Sequence, residues 1–261
     1  MSGDESLFPE RIRAALAGAD AGPFGAHTHY FPSVTSTNDV ARKLAAEGAP
    51  EGTVVVADWQ SAGRGRGGRA WEAPPSAALL VSILFRPTIF SEQSGRMTMV
   101  CGLAAAEAVE TVTGLSVGCK WPNDLLLGEK KFAGILIETA IQGRDMIWAI
   151  AGLGMNVNFR FSGEDPLSQV ATTLFAAAGH TYDRALLLAG MLSRVQYWYE
   201  HVSSQDLLQA WNHRCRTIGK RIRLETPDGL VEEGAAEAID ESGALWVRLD
   251  NGERRLATTV R

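Results

Sequence analysis

The segment Gly63-Arg64-Gly65-Arg66-Gly67-Gly68-Arg69-Ala70-Trp71 constrains this chain more than any other. Three arginines and four glycines fall within seven residues, between two apolar runs, Thr53 to Trp59 and Leu79 to Phe85. The flanking runs are β-branched and apolar and read as buried strands. The fold must therefore project a mobile cationic loop from a pair of core strands. Backbone N–H groups and guanidinium forks on such a loop can order around an anion, a nucleotide phosphate being the first candidate.

Other readings of the loop fail on context. Gly63-x-Gly65-x-x-Gly68 formally matches the dinucleotide-binding fingerprint, but that motif must open a helix whose N-terminus holds the pyrophosphate. Here Trp71 and Pro74-Pro75 follow instead, and no acidic residue stands at the expected place about twenty residues on. GxxxxGK[ST] is absent. Arg/Gly nucleic-acid segments sit in repeated, disordered tracts, whereas this one is single and lies between strands. A solvated turn carrying arginines for solubility is the plain alternative, and the charge density directly after a core strand weighs against it.

Composition narrows the partners. At 261 residues the chain can hold one sizeable domain and a small appendage, with 46% hydrophobic and 21% charged residues. A formal net charge of -5 makes the whole molecule a poor nucleic-acid binder. Cys101, Cys119 and Cys215 are scattered without CxxC spacing, so they read as reduced thiols with no metal site. No apolar run reaches membrane-span length, and Met1 to Glu10 lacks signal-peptide order. A cytoplasmic protein is expected.

Along the chain, a short helix is expected over Pro9 to Ala19, then a Gly/Pro loop to Gly25. One helix before Ser36 is too little for a helix-turn-helix core. Ser36-Thr37-Asn38 are good N-cap types for a helix with Val40 and Leu44 on one face, ended by Gly48. Arg96 to Thr113 is Ala-rich and closed by Gly114, a packed helix. Strands follow over Val117 to Trp121, Asp124 to Leu127, Phe132 to Thr139 and Met146 to Leu153, with Gly128-Glu129-Lys130 as a hairpin connection. Helices cover Arg184 to His201 and Gln205 to Arg214. After Gly219, Arg221 to Glu225, Leu230 to Ala238, Ala244 to Leu249 and Glu253 to Thr258 are short strands. They are separated by Pro227-Asp228-Gly229, Glu241-Ser242-Gly243 and Asn251-Gly252, which suggests a barrel of SH3-like size.

A second segment, Lys120-Trp121-Pro122-Asn123-Asp124, is followed seven residues later by Lys131 in Lys131-Phe132-Ala133-Gly134. Alone it is a strand end with a Pro-initiated turn. Together with Ser36-Thr37-Asn38, with Gln60-Ser61-Ala62-Gly63 running into the loop and Trp71, and with Gly152-Leu153-Gly154-Met155-Asn156, it closely resembles the biotin protein ligases, from about Ser33 to the C-terminus. It looks like the short type without an N-terminal DNA-binding domain, and so without repressor function. Lipoate ligases share that fold but not these two segments. The resemblance implies an α/β (α+β) mixed sheet flanked by helices, similar to the class II aminoacyl-tRNA synthetase catalytic domain, plus a small C-terminal SH3-like β-barrel. Residues 1–30 would be an extension, 31–215 the catalytic domain and 216–261 the SH3-like domain.

The implied enzyme is an ATP-dependent biotin–[biotin carboxyl-carrier protein] ligase. It joins biotin and ATP to biotinyl-5′-AMP with Mg²⁺ present, then transfers biotin to a lysine of a carrier protein, by default the acetyl-CoA carboxylase carrier subunit. Biotin and ATP are substrates, with no tightly bound cofactor, no nucleic acid and no membrane as partner. Two anions must meet in that reaction, so cations have to offset their repulsion. Lys131, Arg66 and Arg64 are the catalytic candidates, with Lys131 the main charge. Biotin would be held by Ser36, Thr37, Asn38, Gln60, Arg64, Gly65, Arg66, Lys131 and Gly134, the polar groups reading the ureido head and Gly134 allowing close main-chain approach. The nucleotide would meet Arg66, Arg69, Trp71, Asp124, Lys131 and Asn156, and Asp124 would orient Mg²⁺. Ser36 or Thr37 as a simple N-cap, and Trp71 as simple core, remain open. Gly67 stands where repressor-type members carry another arginine. The alternatives are a lipoate or octanoate enzyme on the same fold, a nucleic-acid-binding regulator, and a silent biotin-binding module.

Overall fold

The computed structural model describes residues 7–225 and 231–257. The expected Pro227-Asp228-Gly229 turn, the strand ends at Leu230 and Thr258, and residues 1–6 lie outside the described residues. Helix α1 (Pro9–Leu16), strand β1 (Thr28–Phe31), helix α2 (Thr37–Ala46), and strands β2 (Val54–Ala57) and β3 (Ala78–Phe85) come first. Helix α3 (Gly95–Thr113) leads to β4 (Val117–Lys120), β5 (Asp124–Leu127), β6 (Lys130–Gln142) and β7 (Asp145–Asn156). Then come α4 (Leu174–Ala178), α5 (Arg184–Glu200) and α6 (Gln205–Arg214).

These strands form one seven-stranded mixed sheet in the order β1-β2-β3-β7-β6-β5-β4, with β1 and β2 parallel and every other pair antiparallel. Alternation along the strands divides the core. Val54 and Val56, Leu79, Val81 and Ile83, and Ala151 and Leu153 join the main cluster with residues of α3 and α5. Val55, Leu84 and Ile150 turn to the other face and pack beneath Ala41 and Ala45 of α2. The α3 helix stays apolar over most of its circumference because sheet, α5 and α6 all press on it. Gly114 ends it at φ 71, its N–H bonding back to the Glu110 carbonyl.

The remaining strands, β8 (Arg221–Glu225), β9 (Val231–Ile239), β10 (Leu245–Leu249) and β11 (Arg254–Ala257), make a four-stranded antiparallel sheet, the small C-terminal unit expected. Its β9–β10 turn is docked on the main domain. Trp121 Nε1 donates to the Gly243 carbonyl at 2.8 Å and Arg96 Nε to the Glu241 carbonyl at 2.6 Å; ahead of β8, Thr217 Oγ1 accepts from Trp121 N–H at 2.9 Å. Among the described residues no helix is long and apolar enough to cross a membrane.

Two elements escaped sequence reasoning. β1 is a four-residue edge strand of mixed polarity, half-buried or exposed throughout, so it shows neither a buried run nor clean alternation. α4 is a single capped turn. Boundaries also move: α1 stops at Leu16 instead of Ala19, β4 stops before Trp121, β6 and β7 run on to Gln142 and Asn156, and Trp59 lies beyond β2 and is exposed. The expected helix start at Ser36 is correct in position, but its side chain makes no capping hydrogen bond.

Candidate functional site

The Gly/Arg loop is a miniature hairpin. Trp71 N–H bonds to the Gly63 carbonyl at 2.9 Å and Gly65 N–H to the Arg69 carbonyl at 2.7 Å, with Arg64 bridged to Ala70. A 3₁₀ turn over Arg66–Gly68 closes the tip, where Gly67 and Gly68 adopt φ of 63° and 73°, open to glycine at no steric cost. The root is fixed in the core. Asp58, just past β2, pairs with the buried Arg184 at 2.9 Å and accepts from Tyr30 at 2.7 Å, while its carbonyl takes Ser76 N–H at 3.0 Å. Arg184 also donates to the Ala78 carbonyl at 2.8 Å, so both ends of the loop segment hang on one buried ion pair.

The β1–β2 pairing continues irregularly past both strands, with Val34 bridged to Gln60. That sets Gln60 against the N-terminus of α2, where its Oε1 accepts from Thr37 N–H at 2.8 Å and Thr37 Oγ1 at 3.0 Å. Ser36, Thr37 and Asn38 are all buried. Ser82 of β3, fully buried, donates to Asn38 Oδ1 at 2.6 Å and lies 2.8 Å from Thr37 Oγ1.

Beneath the loop the sheet withholds side chains. Gly134 of β6 stands opposite Gly154 of β7, and Gly152 opposite both Ser82 and Leu136. The indole of Trp71 lies on Gly154 so closely that a Cβ there would sit 2.3 Å from Cε2, and one at Gly152 would sit 2.2 Å from Asn38 Oδ1. Gly134 gives the same room to Lys131 Nζ and to Trp71. The result is a cleft of about 450 Å³. Past Arg66 it meets a second hollow of about 930 Å³ between the start of α3, Trp121-Pro122 and Ser242 to Ala244.

Lys131 emerges at the start of β6 and pairs with Asp124 of β5 at 2.6 Å, its Nζ 5.4 Å from the centre of a Trp71 ring. The backbone of Lys131 is gripped by the segment after β7: its N–H bonds to the Val170 carbonyl and its carbonyl accepts from Thr172. Arg66 is half-buried, and burial pulls its guanidinium below its ordinary value, opposed by the charge of Asp124 and aided by that of Arg69. Arg64 forks onto both oxygens of Asp39 at 2.8 Å and touches Glu138 at 3.4 Å. Those bonds hold the Asp39 carboxyl below the usual carboxylate range and raise Arg64.

The structure thus gathers Ser36, Thr37, Asn38, Gln60, Arg64, Gly65, Arg66, Trp71, Lys131 and Gly134 around one cleft. Asp124 reaches it through Lys131. Arg69 is exposed and curls back onto the Arg66 carbonyl at 3.3 Å. Asn156 is buried at the end of β7, where its Nδ2 holds the Thr172 carbonyl at 3.1 Å and so steadies the segment that flanks Lys131. Sequence reasoning missed Asp39, Ser82 and Glu138. Asp39 carried a signal, since a tri-arginine loop needs counter-charge when no anion is bound. Trp71 Nε1 is buried without a hydrogen-bond partner, a donor facing the glycine floor. Among the described residues no cluster of three His, Cys, Asp or Glu could hold a metal by itself.

Residues 30–156 match the Biotin/lipoate A/B protein ligase family, and residues 217–258 the Biotin protein ligase C terminal domain. The chain is 34% identical over 263 residues to a biotin–[acetyl-CoA-carboxylase] ligase of Mycobacterium tuberculosis, covering 97% of this chain and 94% of that one. It is 33% identical over 236 residues to the bifunctional ligase/repressor BirA of Bacillus subtilis, covering 89% of this chain and 72% of that one. Among solved structures, the Aquifex aeolicus biotin protein ligase in complex with biotin and ATP is similar with a TM-score of 0.75 at 27% identity, over 90% of this chain and 97% of that one. The Leishmania major biotin protein ligase in complex with biotinyl-5-AMP gives 0.62 at 25% identity, over 90% and 99%.

Proposed function

The chain belongs to the biotin protein ligase family, and from that premise we propose how the cleft beneath the Gly63–Arg69 loop divides the work of an ATP-dependent biotin ligase. The enzyme activates biotin with ATP and transfers it to a protein lysine. In the first step a biotin carboxylate oxygen attacks the α-phosphorus of ATP, and the bond to the bridging oxygen of pyrophosphate breaks. In the second, a lysine amine attacks the acyl carbon of biotinyl-5′-AMP, loses a proton, and AMP leaves.

Supporting this division is the meeting, over one glycine floor, of a neutral hydrogen-bonding end and a cationic end. Thr37, Gln60 and Ser36 at the start of α2 form the polar end, suited to a ureido ring. Arg66 and Lys131 form the other, where carboxylate and phosphate must be brought together against their repulsion. Asp124 keeps Lys131 in place between turnovers. Trp71 packs between the two ends, on the glycine floor and beside Lys131, where its ring can pack on the nucleotide.

Mg²⁺ would enter with the triphosphate. Asp124 is a single carboxylate, which suits an ion that keeps water and substrate phosphates as most of its ligands. In this reading residues 31–215 carry the chemistry and 216–261 dock on them, the carrier is the acetyl-CoA carboxylase carrier subunit, and the protein works in the cytoplasm. Incubation with biotin, ATP and Mg²⁺ should yield biotinyl-AMP by mass spectrometry. Adenylate formed only from lipoate or octanoate would overturn the assignment.

A further inference from the structure

Asn38 is at the head of α2, yet both ends of its amide are already engaged. Its Oδ1 accepts from buried Ser82 at 2.6 Å, and its Nδ2 donates to Glu138 Oε2 at 3.2 Å. The side chain is also wedged over Gly152 with no room for a Cβ beneath it. It is therefore a fixed wall of the cleft and not a movable reader. Glu138, on β6, uses its other oxygen differently: Oε1 stands 3.4 Å from Arg64 Nη2. Glu138 thus holds the rigid floor with one oxygen and the loop with the other. A chain of contacts runs from a core strand to the cationic loop through Ser82, Asn38, Glu138 and Arg64.

We propose that Glu138 is a positioning residue for biotin binding, presetting the Arg64 side of the loop against the fixed Asn38 wall. It rests on the biotin-binding reading above. Asp39 shares Arg64 but lies on α2, where it touches Arg42 as well, so Asp39 can tether the arginine without relating it to the cleft floor. Only a side chain of glutamate length makes both contacts from the β6 position; aspartate is one methylene short. Glutamine keeps the length and an oxygen for Asn38, and removes the charge that holds Arg64.

The test separates these contacts. Glu138→Gln should raise KM for biotin about tenfold, leaving KM for ATP and kcat within about twofold, because only biotin's side of the cleft is loosened. In the empty protein, amide exchange over Gly63 to Trp71 should quicken in Glu138→Gln at an unchanged melting temperature. Ser82→Ala should raise KM for biotin while loop exchange stays at the wild-type rate, since Arg64 keeps both acids. Glu138→Asp should behave like Glu138→Gln or worse; full rescue by aspartate would overturn the spanning argument. Unchanged biotin KM and unchanged loop exchange in Glu138→Gln would overturn the proposal outright. A wild-type protein that forms no biotinyl-AMP would instead count against the activity. Exchange in the empty protein still decides whether Glu138 holds the loop.

Discussion

At the root of the Gly/Arg loop, Asp58 and Arg184 form an ion pair whose side chains are 6% and 1% exposed; on its first arm, Arg64 and Asp39 form one whose side chains are 37% and 36% exposed. The chemistry is the same guanidinium on the same carboxylate. Burial makes them opposites. Removing one partner of a buried pair strands a charge away from water and costs about 3–5 kcal/mol, whereas an exposed pair contributes roughly 0.2–1 kcal/mol. The root therefore fixes where the loop starts and ends, and the arm can exchange Asp39 for an incoming anion with little loss.

The most severe way to break that contrast is Arg184→Met. It should destabilise the protein by about 3–5 kcal/mol, read from the denaturant midpoint, with a loss under about 1 kcal/mol showing that the root is no firmer than the arm. Next is Lys131→Ala, which leaves both pairs intact and should lower adenylation by about two orders of magnitude, roughly 3 kcal/mol of lost charge stabilisation. Near-normal pyrophosphate release from that variant would remove Lys131 from the chemistry. Arg66→Gly touches the loop alone. It should keep the fold and let biotinyl-AMP escape, seen as biotinylation of a bystander such as serum albumin; an inactive variant without leakage would assign Arg66 to catalysis and not to retention.

The smallest effect belongs to Asp39→Asn. Stability should change by under about 1 kcal/mol, while amide exchange over Gly63 to Trp71 quickens and an adenylate analogue restores protection. Acid should mimic the substitution. Arg64 depresses the folded-state pKa of Asp39, so the pair's contribution is present above the unfolded aspartate value, roughly 4, and is lost as pH falls through the lower folded value. Loop protection that persists unchanged well below that range would mean Asp39 does not hold the arm.

Much of the fold was legible because it is written in local patterns. β-Branched runs gave β2 and β3, Gly114 marked the end of α3, and the short strands after Gly219 gave the C-terminal sheet. The residues that frame the cleft but escaped notice have no local signature. Ser82 sits in an apolar run where a serine looks incidental, and becomes a hydrogen-bond anchor only when β3 passes beneath α2. Glu138 lies mid-strand and gains meaning from Asn38, a hundred positions earlier in the chain. Asp58 and Arg184 lie far apart in the sequence, and nothing but the fold brings them together. Side-chain roles at the cleft were expected from the resemblance and not from periodicity, which is blind to tertiary neighbours.

The glycine floor has a practical consequence for anyone selecting variants of this enzyme. Gly154→Ala removes no hydrogen bond and adds a residue that strands accept more readily than glycine. Its methyl group would occupy the place where the indole of Trp71 rests, so the indole, tied to Gly63 through its backbone, would have to leave the floor. A library sorted by expression or heat resistance would pass such a clone, while one sorted by product would discard it. The empty room above Gly154 is thus a requirement of the cleft that no inventory of reactive side chains would find.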